Sequence, residues 1–194
     1  GSENKSKFRM MNPSDSIVDW VLEMVPQMGA GWCPPGMLGI GIGGTAEHAV
    51  KLAKMSLMDP IDMGQLKARG PQSDLEALRI EIFDKVNALG IGAQGLGGLA
   101  TVLDVKILDW PCHAAGKPVA MIPNCAATRH AHFTLDGSGP SYIPVPDLAA
   151  WPKVAWAPDS AAKRVDLDKL TPEEVQSWKA GDRLLLNGAM LTGR

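Results

Sequence analysis

Two cysteines, a pair of histidines and several glycine-rich loops are the residues of this 194-residue chain equipped to do chemistry. Cys33 lies in Gly31-Trp32-Cys33-Pro34-Pro35-Gly36, and Cys125 lies in Pro123-Asn124-Cys125-Ala126-Ala127-Thr128-Arg129. They are 125 − 33 = 92 positions apart and no Cys-x-x-Cys is present, so on spacing alone the default is a buried, inert thiol. Their settings point further. Both segments are stiffened by proline or bordered by small residues, and such loops can bring a thiolate and several backbone N–H groups to a bulky anionic cluster.

Other patterns compete. His130 and His132 alternate on an expected strand, so both can face one site and bind a metal such as zinc; a polar hydrogen-bond network is the plainer reading, because no third ligand stands at a familiar spacing. The segment Gly90 to Gly95 has the GxGxxG spacing of a dinucleotide fingerprint, but that motif needs a strand before it and a helix after it, and here the order is reversed. From composition, Gly1 to Ser6 reads as a solvated basic terminus. His113, preceded by Cys112, is suited to hydrogen bonding, as a core histidine also is.

The elements that must position these groups follow from pattern. Asn12-Pro13 is expected to cap and start a helix carrying Ile17, Val18, Val21, Leu22 and Val25 on one face, ended by Pro26. Leu38, Ile40 and Ile42 alternate in a strand entered by the Cys33 loop, and Thr45 then caps a helix to about Met58. Ser73 and Glu76 form a capping box before Leu75, Leu78, Ile82, Val86 and Leu89, and Gly90 stops that helix. Strands are expected at Thr101 to Leu108, Val119 to Ile122 and Arg129 to Leu135, with Cys125 on the loop between the last two and Asp136-Gly137 making a turn. Pro140, Pro144, Pro146, Pro152 and Pro158 mark an extended connector. Beyond it, Thr171-Pro172 starts a short helix and Arg183 to Asn187 a strand. The fold class is α+β, with residues 1–140 in one domain, 141–164 as linker and 165–194 as the beginning of a second.

Composition bounds the partners. A net charge of -2 offers no electrostatic case for nucleic acid, and no apolar run approaches the roughly 20 residues of a membrane span. Three cysteines without close spacing fit a reducing compartment better than a disulfide framework. The chain opens without Met and closes on Leu191-Thr192-Gly193-Arg194, so both ends read as cut from something longer.

Five motifs in order carry a resemblance across nearly the whole chain: Gly1-Ser-Glu-Asn-Lys-Ser-Lys7, Gly31-Trp-Cys-Pro-Pro-Gly36, Gly41-Ile-Gly-Gly-Thr45, Gly92-Ala-Gln-Gly-Leu-Gly-Gly98 and Asn124-Cys-Ala-Ala-Thr-Arg-His130. Together they closely resemble the class I, iron-sulfur-dependent fumarate hydratases, with the tartrate dehydratase alpha subunit as a near relative. The resemblance implies an iron-sulfur hydro-lyase domain with sheets flanked by helices. It implies a [4Fe–4S] cluster held by three cysteines, two of which match Cys33 and Cys125, while the third belongs to a segment ahead of Gly1. Cys112 is not promoted to that place.

In the family Gly1, Ser2, Glu3, Asn4, Lys5 and Ser6 match a loop that binds substrate carboxylates, which reverses the plain reading of this terminus. His113 resembles an active-site histidine. The implied reaction is reversible hydration of fumarate to (S)-malate in the tricarboxylic acid cycle, by a cytoplasmic homodimer, with the proton-transfer groups outside this chain and the chain inactive alone. Continuity into Thr171 to Arg194 favours the fused, single-chain hydratase over tartrate dehydratase, whose halves are separate subunits in the family. Tartrate or mesaconate dehydration, a non-catalytic binding module, and a zinc hydrolase built on His130 and His132 are the alternatives.

Overall fold

A computed structural model describes residues 1–128 and 133–140, and, between 145 and 191, all but 146, 151, 152, 154, 156, 158, 180 and the side chain of 150. The chain divides into two compact units, Gly1–Ser138 and Gly139–Arg194. The architecture is mixed α+β, as the pattern implied.

Unit 1 is built on a four-stranded sheet of β1 (Lys7–Met11), β2 (Gly36–Gly43), β3 (Val102–Trp110) and β4 (Lys117–Cys125), in the order β1-β4-β2-β3. β2 runs parallel to β3 and antiparallel to β4, which in turn pairs antiparallel with β1. The crossover from β2 to β3 carries three helices, α2 (Ala46–Ser56), α3 (Met63–Arg69) and α4 (Asp74–Ala88), while α1 (Ile17–Gln27) lies between β1 and β2.

Strand alternation sorts the two faces of β2. Leu38 and Ile40 join Val119 and Met121 in a core closed by Val21 and Val25 of α1 and Ile82 and Val86 of α4. The opposite face of β2 presents Gly39 and Gly41. A Cβ on either would overlap a backbone carbonyl of α2, that of Ala53 or of Ala49. The absent side chains therefore let α2 lie directly on the strand, with Ala49, Ala53 and Leu57 meeting Met37, Ala120 and Ile122.

Several elements differ from expectation, each for a local reason. Asn12 and Asp15 close a turn, through Asp15 N–H to the Asn12 carbonyl and Asn12 N–H to Asp15 Oδ2, so α1 starts only after Ser16, whose Oγ accepts from Asp19 N–H at 3.1 Å. Pro26 lies inside the last turn of α1, which runs on to Gln27. β4 is longer than its apolar run, and Cys125 is its last residue rather than part of a loop. Its two prolines fit because each sits where β4 has one neighbour: β1 pairs only as far as Met121, leaving Pro123 against β2 alone, and β2 pairs only as far as Val119, leaving Pro118 against β1 alone. Of the strand expected at 129–135, residues 129–132, with His130 and His132, lie outside the described residues, and Phe133, Thr134 and Leu135 are not in a strand.

α3 and β1 were not anticipated from the sequence. The N-terminus of α3 is capped from a distance: Asp104 of β3, fully buried, accepts from the backbone N–H groups of Asp62 and Met63 at 2.8 and 3.2 Å. Asp104 also meets Arg79 at 3.2 Å and Lys106 at 3.3 Å, and Asp62 binds the same two cations, so two carboxylates and two buried bases form one network.

Unit 2 contains β5 (Lys163–Asp166) and β6 (Leu184–Asn187), a parallel pair connected through α5 (Pro172–Gln176). Thr171 caps α5 by accepting from Glu174 N–H at 3.3 Å, and Lys163 pairs with Glu174 at 2.9 Å. The expected connector, 141–164, falls wholly within the bounds of this unit, whose first strand begins at Lys163.

Candidate functional site

The register of β2 and β4 brings the two motif cysteines to one end of the sheet. Gly36, the first residue of β2, pairs with Cys125, the last of β4, and Cys33 stands three residues before Gly36. Cys33 adopts φ +58°, a left-handed turn closed by its N–H on the Ala30 carbonyl at 2.9 Å. Both thiols are half-buried, and among the described residues no cysteine forms a disulfide.

Two further loops close on this end. The glycine loop after α4 reaches the Cys33 loop through Gln94, whose backbone N–H donates to the Pro34 carbonyl at 2.7 Å. That loop is itself tied down by Gly92 N–H on Thr101 Oγ1 at 3.1 Å. The N-terminal segment forms a single 3-10 turn, Ser2–Lys5, in which Asn4 N–H donates to the Gly1 carbonyl and both the N–H and hydroxyl of Ser6 donate to the Glu3 carbonyl. Ser2 Oγ accepts from Cys125 N–H at 3.3 Å, and the stem of Lys5 lies over Gly31, where a Cβ would come 2.5 Å from Lys5 Cε. The structure thus places Ser2 on Cys125 and Lys5 over the Cys33 loop, with Gly1, Asn4 and Ser6 in the same turn. Glu3 shares the turn, but its carboxylate is held by Lys54 of α2 at 2.9 Å.

A sulfur-bound group is testable against the donors at this end. Two thiols form the set, and Ala127 N–H donates to Cys125 Sγ at 3.4 Å, a backbone hydrogen bond of the kind that stabilises a thiolate ligand. Small side chains, Ala126 and Ala127, follow Cys125 and leave room. These donors fit a soft, anionic iron-sulfur centre, but only as part of a ligand set: among the described residues no three His, Cys, Asp or Glu side chains are grouped to hold a metal ion.

Cys112 and His113 lie elsewhere. They follow β3 at Trp110, the residue that pairs with Gly43, so the length of β2, roughly 23 Å at ~3.3 Å per residue, separates them from Gly36. Cys112 is exposed and donates to the Gly116 carbonyl at 3.2 Å. His113 accepts from Ala115 N–H on Nδ1 at 3.0 Å and faces an open cavity of about 530 Å³ lined with Gly44, Thr45, His48 and Trp110. Sequence reasoning missed Lys54 and Gln94, which steady the loops, because each acts on a residue distant in the chain.

This construction matches known proteins. A family model described as fumarate hydratase (Fumerase) matches residues 1–134, and one described as the fumarase C-terminus matches residues 137–194. The chain belongs to the fumarate hydratase family. It is 45% identical over 134 residues to a putative L(+)-tartrate dehydratase subunit alpha of Methanocaldococcus jannaschii, covering 68% of this chain and 45% of that protein. It is 29% identical over 191 residues to a putative class I fumarate hydratase of Geobacillus stearothermophilus, covering 93% and 36%. To the aerobic class I fumarate hydratase of Escherichia coli K12 it is 26% identical over 215 residues, covering 100% and 38%. The chain therefore spans less than half the length of each of these curated relatives. The class I resemblance read from the five motifs agrees with them. Among the described residues no helix is long and apolar enough to cross a membrane.

Proposed function

We propose that this chain is part of a class I fumarate hydratase, a hydro-lyase interconverting fumarate and (S)-malate, with Cys33 and Cys125 as two of three thiolate ligands of a [4Fe–4S] cluster. The observation that carries the reading is the meeting of Cys33, Cys125 and the Gly1–Ser6 turn at one end of the sheet, with Ser2 on Cys125 N–H. When bound, the cluster supplies a Lewis acid for the substrate's hydroxyl and carboxylate.

The chain's own residues bind and orient. The turn offers the amide of Asn4, the hydroxyl of Ser2 and the ammonium of Lys5 to a dicarboxylate, while Ser6, whose N–H and hydroxyl both donate to the Glu3 carbonyl, holds the turn in shape. Because Ser2 Oγ accepts from Cys125 N–H, its hydroxyl proton is left to donate to the substrate. Cys33 is held in its left-handed turn by Ala30 and its loop, through Pro34, by Gln94, so the backbone that carries the thiol is fixed in advance. His113 stands outside this constellation, and any part it takes in catalysis requires a segment or a copy beyond these residues. The proton-transfer groups are assigned to other parts of the protein. Residues 1–140 are read as part of the catalytic domain, 141–164 as its connector and 165–194 as the start of the C-terminal domain, in a cytoplasmic homodimer.

The test is anaerobic reconstitution of the full-length protein with iron and sulfide. Brown absorbance and hydration of fumarate are expected, both lost in Cys33→Ser and in Cys125→Ser. Hydration retained with both cysteines replaced refutes the assignment. The 45% identity to a tartrate dehydratase alpha subunit favours L(+)-tartrate as the second substrate to try. Matches that run across both units to proteins named class I fumarate hydratases support fumarate as the first.

A further inference from the structure

We propose that Lys54 is a positioning residue for dicarboxylate binding, acting through Glu3. The inference rests on the reading of the Gly1–Ser6 turn as the carboxylate-binding element. That turn contains a carboxylate of its own, which would repel a dianion bound beside it. Lys54 Nζ lies 2.9 Å from Glu3 Oε2 and cancels that charge. It also orients the turn, because the segment that carries Lys54 is packed directly on the sheet. Ala53 and Ser56, on either side of it in α2, are fully buried against Gly39, and Ser56 Oγ donates to the carbonyls of Ala53 at 2.9 Å and Lys106 at 3.4 Å.

On the other side the turn is anchored by Ser2 on Cys125 N–H and by the Lys5 stem over Gly31. Lys54 thus adds to these two anchors, among the described residues, an attachment that acts on charge. Both partners are about half exposed, 48% for Lys54 and 58% for Glu3, so the pair is screened by salt and its loss acts on binding more than on folding.

The test compares Lys54→Met, Lys54→Arg and the double variant Lys54→Met/Glu3→Gln in the full-length, cluster-loaded protein. Three quantities are read: KM and kcat for malate dehydration, Kd for succinate as a dicarboxylate that does not react, and melting temperature. Lys54→Met is expected to raise KM and the succinate Kd about fivefold, the scale of one exposed uncompensated charge, with kcat within about twofold. Lys54→Arg retains most of the binding, and Glu3→Gln in the Met background restores it. The effect shrinks at high salt. A KM and succinate Kd within twofold of wild type in Lys54→Met, a loss confined to kcat, or a loss that Glu3→Gln fails to relieve overturns the proposal. Wild-type protein that neither hydrates fumarate nor binds succinate refutes instead the reading of the turn, and this inference with it.

Discussion

Gly36 and Cys125 face each other across β2 and β4, and the Asn124 carbonyl lies so close to Gly36 that no side chain fits between the strands. The Trp32 ring closes the other side, 3.0 Å from where a Cβ would stand. Gly36→Ala must therefore spread the end of the sheet that holds both thiols. A loss of about 1–3 kcal/mol in denaturant titrations is expected, the usual cost of overpacking. Reconstitution should yield less cluster absorbance per chain than in wild type even at temperatures where the variant is folded.

Asp104 should prove the most costly carboxylate to remove. Asp104→Ala uncaps α3 and strips a partner from Arg79 and Lys106, both largely buried. Breaking such a network from one side costs about 3–5 kcal/mol, measurable as a fall in the midpoint of urea unfolding.

Acid should act on the same network. Burial works to raise the Asp62 carboxyl, but hydrogen bonds from Arg79 and Lys106 outweigh it and hold it at about 2, below the ordinary 3.8. The folded value lies under the unfolded one, so protons favour the unfolded chain; the stabilisation is complete above about pH 4 and drains away as pH falls toward about 2. Melting curves of wild type and Asp62→Asn should differ at neutral pH and converge across that window.

His113→Ala should leave the cluster absorbance of the reconstituted protein unchanged. The length of β2 lies between His113 and the cysteine end, and its bond to Ala115 N–H is an exposed local contact. A change in the visible or electron paramagnetic resonance spectrum would mean that the two ends of the sheet communicate.

Legibility in the sequence tracked the range of the interaction that decides each element. α4 was readable because its cap is local: Ser73 Oγ accepts from Glu76 N–H at 3.2 Å. α3 was not, because Asp104 caps it from 42 positions beyond Asp62, while the side chain of Asp62 is occupied with Arg79 and Lys106. β4 read short because two prolines bracket its apolar centre, and only the staggered ends of β1 and β2 make them compatible with pairing. At the site, the motifs pointed to Cys33, Cys125 and the Gly1–Ser6 turn. The meeting of these segments depends on strand register, and the pairing of Glu3 with Lys54 depends on helix placement; no short pattern encodes either.

Gly39 and Gly41 contribute no functional group, yet they set the distance between α2 and the sheet. The ammonium of Lys54 rides on that helix, so the depth at which α2 docks is also the reach available to Glu3 and, through it, to the turn beside Cys125. Here empty space works as a gauge. A single methyl group added in the middle of β2, far from either cysteine, would be transmitted as misalignment between the Gly1–Ser6 turn and Cys125, by a change that adds and removes no polar group.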